Sequence, residues 1–114
     1  PVQAAFLEAT KFIEEIGIKN IENRNLDLAA SAKAKLATVP GVTVHSPMER
    51  NESSGLVSFS ILDQEPVSIV EKLWDSDRLV VRQVGYPAGV RASLHFFNTD
   101  HEVDLLVGGV SEIV

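Results

Sequence analysis

Apolar residues recur every three or four positions in four stretches of the chain, which is the one-face pattern of an amphipathic helix. The predicted helices are Val2 to Ile16, Ile18 to Thr38, Pro66 to about Asp77, and a last helix after Thr99. Gly17 separates the first two, because glycine accepts the backbone conformations that end many helices. Thr99 and Glu102 have the spacing of a capping box, which predicts the start of the last helix. Trp74 falls on an apolar stripe and is predicted to lie in the core.

Four short stretches between the helices have the features of β-strands. Leu56 to Leu62 alternates apolar and serine positions, as expected for a half-buried strand. The other strands are predicted at Val42 to His45, Leu79 to Val84 and Val90 to Phe97. The order α-α-β-β-α-β-β-α predicts an α+β fold, a two-layer sandwich in which helices cover a small, mostly antiparallel sheet of about four strands. We expect residues 1 to 114 to form one domain.

The last predicted strand carries the most informative polar side chains. Its alternation predicts a core face of Ala92, Leu94 and Phe96 and an opposite face of Arg91, Ser93 and His95. Arg82 lies on the preceding strand, across a turn predicted at Gly85 to Gly89. A guanidinium on a sheet face is suited to bidentate binding of a carboxylate, but an Arg–Glu pair on an exposed sheet explains it equally well. A free-standing module that binds a small anion or a protein therefore stays open.

Composition argues against several kinds of partner and chemistry. The 16 acidic and 10 basic residues give a net charge of -6, which disfavours a nucleic-acid surface and a polybasic membrane anchor. No stretch has the roughly 20 apolar residues that cross a bilayer, so we expect no membrane contact. The absence of cysteine is compatible with a cytoplasmic location, which we expect. The chain has no cysteine and its three histidines lack metal-ligand spacing, so we predict no metal site. All five lysines fall on predicted helices, away from the usual context of a Schiff-base lysine.

The segment GVRASLHFFNTDHEVDLL resembles the C-terminal signature of class V aminotransferase-fold enzymes, which depend on pyridoxal phosphate. That group includes cysteine desulfurase-like proteins, C–S lyases and epimerases. Their pattern is Arg-x-Ser, a short spacer, Asn-Thr, an acidic pair and Val/Ile-Asp. It is matched here by Arg91, Ser93, Asn98, Thr99, Glu102, Val103 and Asp104. The earlier segments TVPGVTV and SGLVSFSI resemble the first strands of the same small domain.

The resemblance implies that the chain is the C-terminal small domain of a longer enzyme, and a start without Met agrees with that expectation. Arg91, Arg82 and His95 would then bind the carboxylate of an amino-acid substrate. The residues that hold pyridoxal phosphate would lie in a large domain, so no catalytic or cofactor-binding residue is predicted here. The first helix, within residues 1 to 17, would pack on that large domain, and a homodimer is expected.

The resemblance leaves the reaction open. Cysteine desulfurases carry a catalytic cysteine on a loop shortly before the matching arginine, whereas this chain has a short turn and no cysteine. That difference disfavours persulfide chemistry in the parent enzyme and leaves a β-eliminating C–S lyase, a transaminase or an epimerase. Arg82 and Arg91 are both similar to the substrate-carboxylate arginines of cystine C–S lyases.

Overall fold

The computed structural model describes all 114 residues, and its elements follow the predicted order. The helices are α1 (Val2–Ile16), α2 (Ile18–Leu36), α3 (Pro66–Asp77) and α4 (Asp100–Ile113). The strands are β1 (Val42–Val44), β2 (Leu56–Ile61), β3 (Arg82–Gly85) and β4 (Ala88–Ser93). A short 3-10 turn, Arg50–Glu52, lies in the loop between β1 and β2. The predicted α+β fold is confirmed.

The four strands form one antiparallel sheet in the order β1-β2-β4-β3. Helices α2 and α3 pack against the sheet, α4 packs on both of these helices, and all three contribute to the core on one face of the sheet. As the alternation in β2 predicted, Val57, Phe59 and Ile61 point into the core between the two layers, where they meet Val90 and Ala92 of β4. The opposite face of the sheet carries no helix, so its side chains are available for other contacts.

The predicted capping box at the start of α4 is present. The backbone N–H of Glu102 donates to the hydroxyl oxygen of Thr99 at 3.2 Å, and the backbone N–H of Thr99 donates to the Glu102 carboxylate at 2.8 Å. The second of these bonds, followed by one from the Asn98 side chain, holds the pKa of the Glu102 carboxyl below its ordinary value. The box fixes where the chain enters α4.

The last strand is shorter than predicted. β4 ends at Ser93, so its predicted continuation to Phe97 is wrong. The backbone N–H of His95 donates to the Asn98 side chain at 2.9 Å, and the Asn98 backbone N–H donates to the His95 carbonyl oxygen at 2.8 Å. Asparagine favours such local turns over continued sheet pairing. Phe96 is therefore half-buried within a turn and is not part of the core.

Two further corrections concern α3 and the strand that follows it. The strand predicted at Leu79 to Val84 begins only at Arg82. Arg78 ends α3 with a left-handed backbone (φ 55°). The residues directly after this cap do not pair with β4, and the pairing begins at Arg82. Trp74 is 47% exposed and does not lie in the core, because α3 turns its Ile69 side inward. The Trp74 ring lies 5.2 Å from the Arg78 guanidinium carbon.

Helix α1 differs from the other three helices in that none of its residues is buried. It packs mainly on α2, from which it is separated by Gly17 with a positive φ of 91°. Phe6 is 75% exposed and Phe12 is 57% exposed. The apolar side chains of α1 thus add nothing to the core that holds the sandwich together.

None of the four helices combines the length and the apolar character that spanning a membrane requires.

Candidate anion-binding site

A two-residue turn, Tyr86–Pro87, joins β3 to β4, and its length decides which side chains meet across the hairpin. In the resulting register Arg82 pairs directly with Arg91. Residues directly opposite each other in antiparallel strands project from the same face, with their Cβ atoms about 4.5–5.5 Å apart. The two predicted site arginines therefore lie side by side.

The same face continues across β2 to the end of β1. Arg91 pairs with Ser58 of β2. The backbone N–H of His45, the residue after β1, donates to the Ser58 carbonyl oxygen at 2.8 Å and extends the β1–β2 pairing by one position. His45, Ser58, Arg91 and Arg82 thus form a line across all four strands, which we call the cross-strand row. It lies on the helix-free face, because the buried neighbours of Arg91 in β4, Val90 and Ala92, point to the core.

Neither arginine of the cross-strand row has a partner for its charge. The five ion pairs of the chain use other residues, and no side-chain hydrogen bond involves Arg82 or Arg91. The Nε atom of Arg91 is shielded from solvent and has no hydrogen-bond acceptor. By contrast, Arg24 is paired with Asp100, and Arg50 with Asp27. Two adjacent guanidinium groups repel each other, so an anion bound between them would be stabilised by both.

Small polar residues occupy other positions of this face, among them Ser58 and Ser60 of β2. The Nε2 atom of His45 lies 2.9 Å from the Ser60 hydroxyl, which shows that the imidazole lies on the same side as the cross-strand row. Gly89, two residues before Arg91, packs closely on β2: a Cβ atom there would lie 2.4 Å from the Phe59 carbonyl oxygen. His45, Ser58 and Ser60 carry no sequence motif that marks them as site residues. The alternation of β2 indicated the serine face, but the pairing of β1 with β2 was needed to bring His45 beside it.

The third predicted site residue, His95, is not part of the cross-strand row. It lies in the turn after β4, is exposed, and stacks its ring on that of Phe97 with the centroids 5.3 Å apart. The expectation that it shares a strand face with Arg91 is therefore wrong. A role for His95 in substrate binding stays a prediction, without the strand geometry that prompted it.

The cross-strand row is only partly covered, with Arg82 exposed and Arg91, Ser58 and His45 half-buried. The fold has four surface cavities, with volumes of about 240 to 470 Å³, and none of them is lined by Arg82, Arg91 or His45. A carboxylate bound on an open face keeps its contact with water, and water weakens an ion pair. Tight binding on this face consequently requires a second surface that covers it and excludes water.

The lysines do not fit a cofactor that is bound through a Schiff base. Lys33 is only 2% exposed, and its ammonium donates to the Pro47 carbonyl oxygen at 2.5 Å and to the Ser53 hydroxyl at 2.6 Å. Burial lowers its pKa. The other four lysines donate from helix surfaces, Lys11 to Glu8, Lys19 to Glu22, Lys35 to Asp104 and Lys72 to Gln64. No three metal-ligating side chains lie close enough together to hold an ion.

Comparison with known protein families matches most of the chain to a single family. The model of the family described as aminotransferase class-V matches residues 3–106. A protein of Halalkalibacterium halodurans named "Probable cysteine desulfurase" is 32% identical over 91% of this chain. The cysteine desulfurase of Cronobacter sakazakii is 31% identical over 92% of this chain. The chain spans 27% and 28%, respectively, of the lengths of these two relatives.

Solved structures agree with the sequence matches. The apo structure of a cysteine desulfurase from Thermococcus onnurineus NA1 superposes with a TM-score of 0.81 and 26% identity. The overlap covers 91% of this chain and 28% of that one. The complex of a cystine C–S lyase with its product, cysteine persulfide, gives a TM-score of 0.71 over 82% of this chain and 24% of that one. At 21% identity this second match shows a likeness of fold alone.

Proposed function

This chain belongs to the aminotransferase class-V family, and from that premise we propose that it is the C-terminal small domain of a larger pyridoxal-phosphate enzyme that acts on an amino acid. Its part in the reaction is to bind the α-carboxylate of the substrate. The chain alone is inactive, since the cofactor and the catalytic lysine belong to a large domain.

The observation that carries this proposal is the pair of unpartnered arginines, Arg82 and Arg91, side by side on the helix-free face. A carboxylate can accept two parallel hydrogen bonds from one guanidinium, and the second guanidinium adds attraction without needing to move. Fixing the carboxylate also fixes the orientation of the Cα–H bond, which is what a reaction at Cα requires.

The residues present do not fit pyridoxal phosphate itself. Lys33 is enclosed by the β1–β2 loop, and the four remaining lysines lie on helix surfaces. We therefore assign the cofactor to the large domain, which would also supply the surface that covers the cross-strand row. Helix α1, with its exposed Phe6, would pack on that domain. We also propose that the parent is a cytoplasmic homodimer.

One feature favours a C–S lyase as the second, more specific candidate. By resemblance, desulfurases carry their cysteine shortly before the arginine that matches Arg91. Here this stretch is the Tyr86–Pro87 turn, which has neither a cysteine nor the length to reach far from the sheet. Elimination at the substrate's Cβ–S bond needs no protein thiolate, so this hairpin is compatible with it. Transamination and epimerisation are the alternatives to test beside it.

The proposal is tested with Arg91→Ala in the intact parent enzyme and in the 114-residue chain. We expect kcat/KM for the amino-acid substrate to fall by about 10- to 150-fold, the equivalent of about 1.5–3 kcal/mol for a charge-assisted hydrogen bond. Arg91→Lys should recover little of this loss, because an ammonium cannot reproduce the planar fork. Arg50→Ala is the matched control, since Arg50 is already paired with Asp27 on another surface.

Stability distinguishes a binding residue from a structural one. In the isolated chain Arg91→Ala should change the free energy of unfolding by less than about 1 kcal/mol. A collapse of the melting temperature with turnover preserved would show that Arg91 is structural and that the site is misassigned. The alternative is a free-standing module that binds an anion or a protein, and sequencing the gene upstream of the codon for Pro1 tests it. A stop codon immediately before Pro1 would contradict the proposed large domain and favour the free-standing module.

A further inference from the structure

We propose that His45 is a specificity-determining residue that contacts the far end of the substrate. The inference rests on the proposed function, in which Arg91 and Arg82 hold the α-carboxylate. The substrate side chain would then cross β2 over Ser58 and end at the imidazole of His45. Such a site favours amino acids whose side chain ends in a hydrogen-bond acceptor, a carboxylate above all.

The first argument is the placement of His45 in the cross-strand row. His45 and Arg91 both flank Ser58, one on each side, so they are two strand spacings apart, about 9–10 Å. A molecule bound to the Arg91 guanidinium and running along the row therefore meets the imidazole next.

The second argument is the path between the two residues. Ser58 is the smallest side chain of the row, and its hydroxyl points to the Val90 carbonyl oxygen at 3.4 Å, so the route across β2 is unobstructed within the row. Beyond Ser58, the row ends at His45. A ligand anchored at Arg91 can lie flat along this line without displacing any side chain of the row.

The third argument is the hydrogen-bonding state of the imidazole. When Nε2 accepts the proton of the Ser60 hydroxyl, 2.9 Å away, the ring proton of the neutral imidazole is on Nδ1. Nδ1 has no partner within the chain and can donate to a ligand oxygen. Ser60 thereby orients the ring, and no carboxylate of the chain is ion-paired with His45.

The experiment uses the 114-residue chain and two dicarboxylates of equal charge but different length, succinate and adipate, with butyrate as the monocarboxylate. Binding is followed by the NMR signals of the His45 ring and of the backbone amides of Ser58 and Arg91. We expect all three ions to shift Arg91 and only adipate to shift His45. Adipate should bind about three- to tenfold more tightly than succinate, the effect expected for one further hydrogen bond at a half-exposed site.

Four variants separate the possible outcomes. His45→Ala should abolish the preference for adipate. His45→Gln, which keeps a hydrogen-bond donor at this position, should retain part of the preference. His101→Ala, at an exposed histidine of α4, should leave it unchanged. A preference for adipate that keeps its full size in both His45 variants overturns the inference. If Arg91→Ala leaves the binding of all three ions unchanged, the proposed function fails as well; if it weakens them all while the His45 variants do nothing, only this inference fails.

Discussion

Arg82 and Arg91 face each other across the β3–β4 hairpin, and no carboxylate of the chain pairs with either of them. The chain carries 16 acidic residues, so carboxylates are not scarce; they lie elsewhere. Like charges directly opposite each other in a sheet destabilise it. Two unpaired guanidinium groups that oppose folding stability are the arrangement that the proposed carboxylate site requires.

Arg82→Glu should therefore stabilise the chain while it destroys the anion site. The variant replaces a repulsive cross-strand pair by an attractive one, worth about 0.2–1 kcal/mol. Urea unfolding measures the gain, and titration with butyrate measures the loss of binding. Arg82→Gln removes only the repulsion and should give a smaller gain than Arg82→Glu. Lower stability in Arg82→Glu, or butyrate affinity equal to that of the unchanged chain, would contradict this account of the pair.

The sequence indicates both arginines as candidate site residues, but the direct cross-strand pairing of Arg82 with Arg91 could not be predicted from it. With the turn predicted at Gly85 to Gly89, Arg82 would be opposite Ala92 and would not face Arg91. The actual two-residue turn changes the register by one position, and a one-residue change in register alters which side chains are neighbours. Register depends on the turn conformation, which composition alone does not specify.

Elements marked by hydrophobic periodicity or by a capping motif agree with the prediction, whereas boundaries and pairings that depend on individual hydrogen bonds do not. The bounds of α1 and the start of α4 follow from Gly17 and from the Thr99 capping box. The end of β4 depends on the side chain of Asn98, which captures the backbone N–H of His95. The place of His45 depends on the pairing of β1 with β2 across a long loop. These competing hydrogen bonds leave no mark on hydrophobic periodicity.

The two adjacent glycines of α4 should respond oppositely to alanine. A Cβ atom on Gly108 would meet nothing within 4 Å, whereas one on Gly109 would lie 2.8 Å from the Leu73 side chain, which is fully buried. Gly108→Ala should raise the free energy of unfolding by up to about 1 kcal/mol through helix propensity. Gly109→Ala should lower it, by about 1–3 kcal/mol, through overpacking between α3 and α4. Thermal unfolding of both variants checks this pair, and equal shifts would refute the close α3–α4 contact.

Lys33 should make stability depend on pH in the alkaline range. Burial lowers its pKa in the folded chain below the ordinary value of 10.5, so between the two values the unfolded chain binds more protons. The free energy of unfolding contributed by Lys33 therefore rises as the pH increases from the lowered pKa toward 10.5. We expect the difference in stability between the unchanged chain and Lys33→Met to grow in favour of the unchanged chain over that interval.

The measurement for Lys33 is urea unfolding at several pH values from 7 to about 10.5. Lys72→Met serves as the control, because Lys72 is exposed and bonded only to Gln64. Its difference curve is the baseline with which the curve of Lys33→Met is compared. If the two curves coincide, the Lys33 ammonium is already well solvated in the folded chain, and its bonds to Pro47 and Ser53 do not compensate a buried charge.

Helix α1 should cause weak self-association of the isolated chain. Its apolar side chains are unburied, Phe6 being 75% exposed, and an exposed apolar stripe tends to find a partner. One helix of 15 residues is only about 22 Å long, so the area it can bury is well below that of a stable dimer. We therefore expect a dimer that forms only at high concentration, measurable by sedimentation equilibrium.

Phe6→Asp should shift this association to higher concentration without lowering the melting temperature, because Phe6 makes no contact with the core. Ile13→Asp should weaken it too, but Ile13 is half-buried, so its melting temperature has to be measured alongside. Val80→Asp is the matched control, since Val80 is 82% exposed and lies between α3 and β3, whereas α1 packs mainly on α2. If Val80→Asp dissociates the dimer and Phe6→Asp does not, the interface lies at the segment between α3 and β3. That result would also argue against the proposal that α1 packs on the large domain. An apolar face that does not associate even at high concentration contributes little free energy when it is buried.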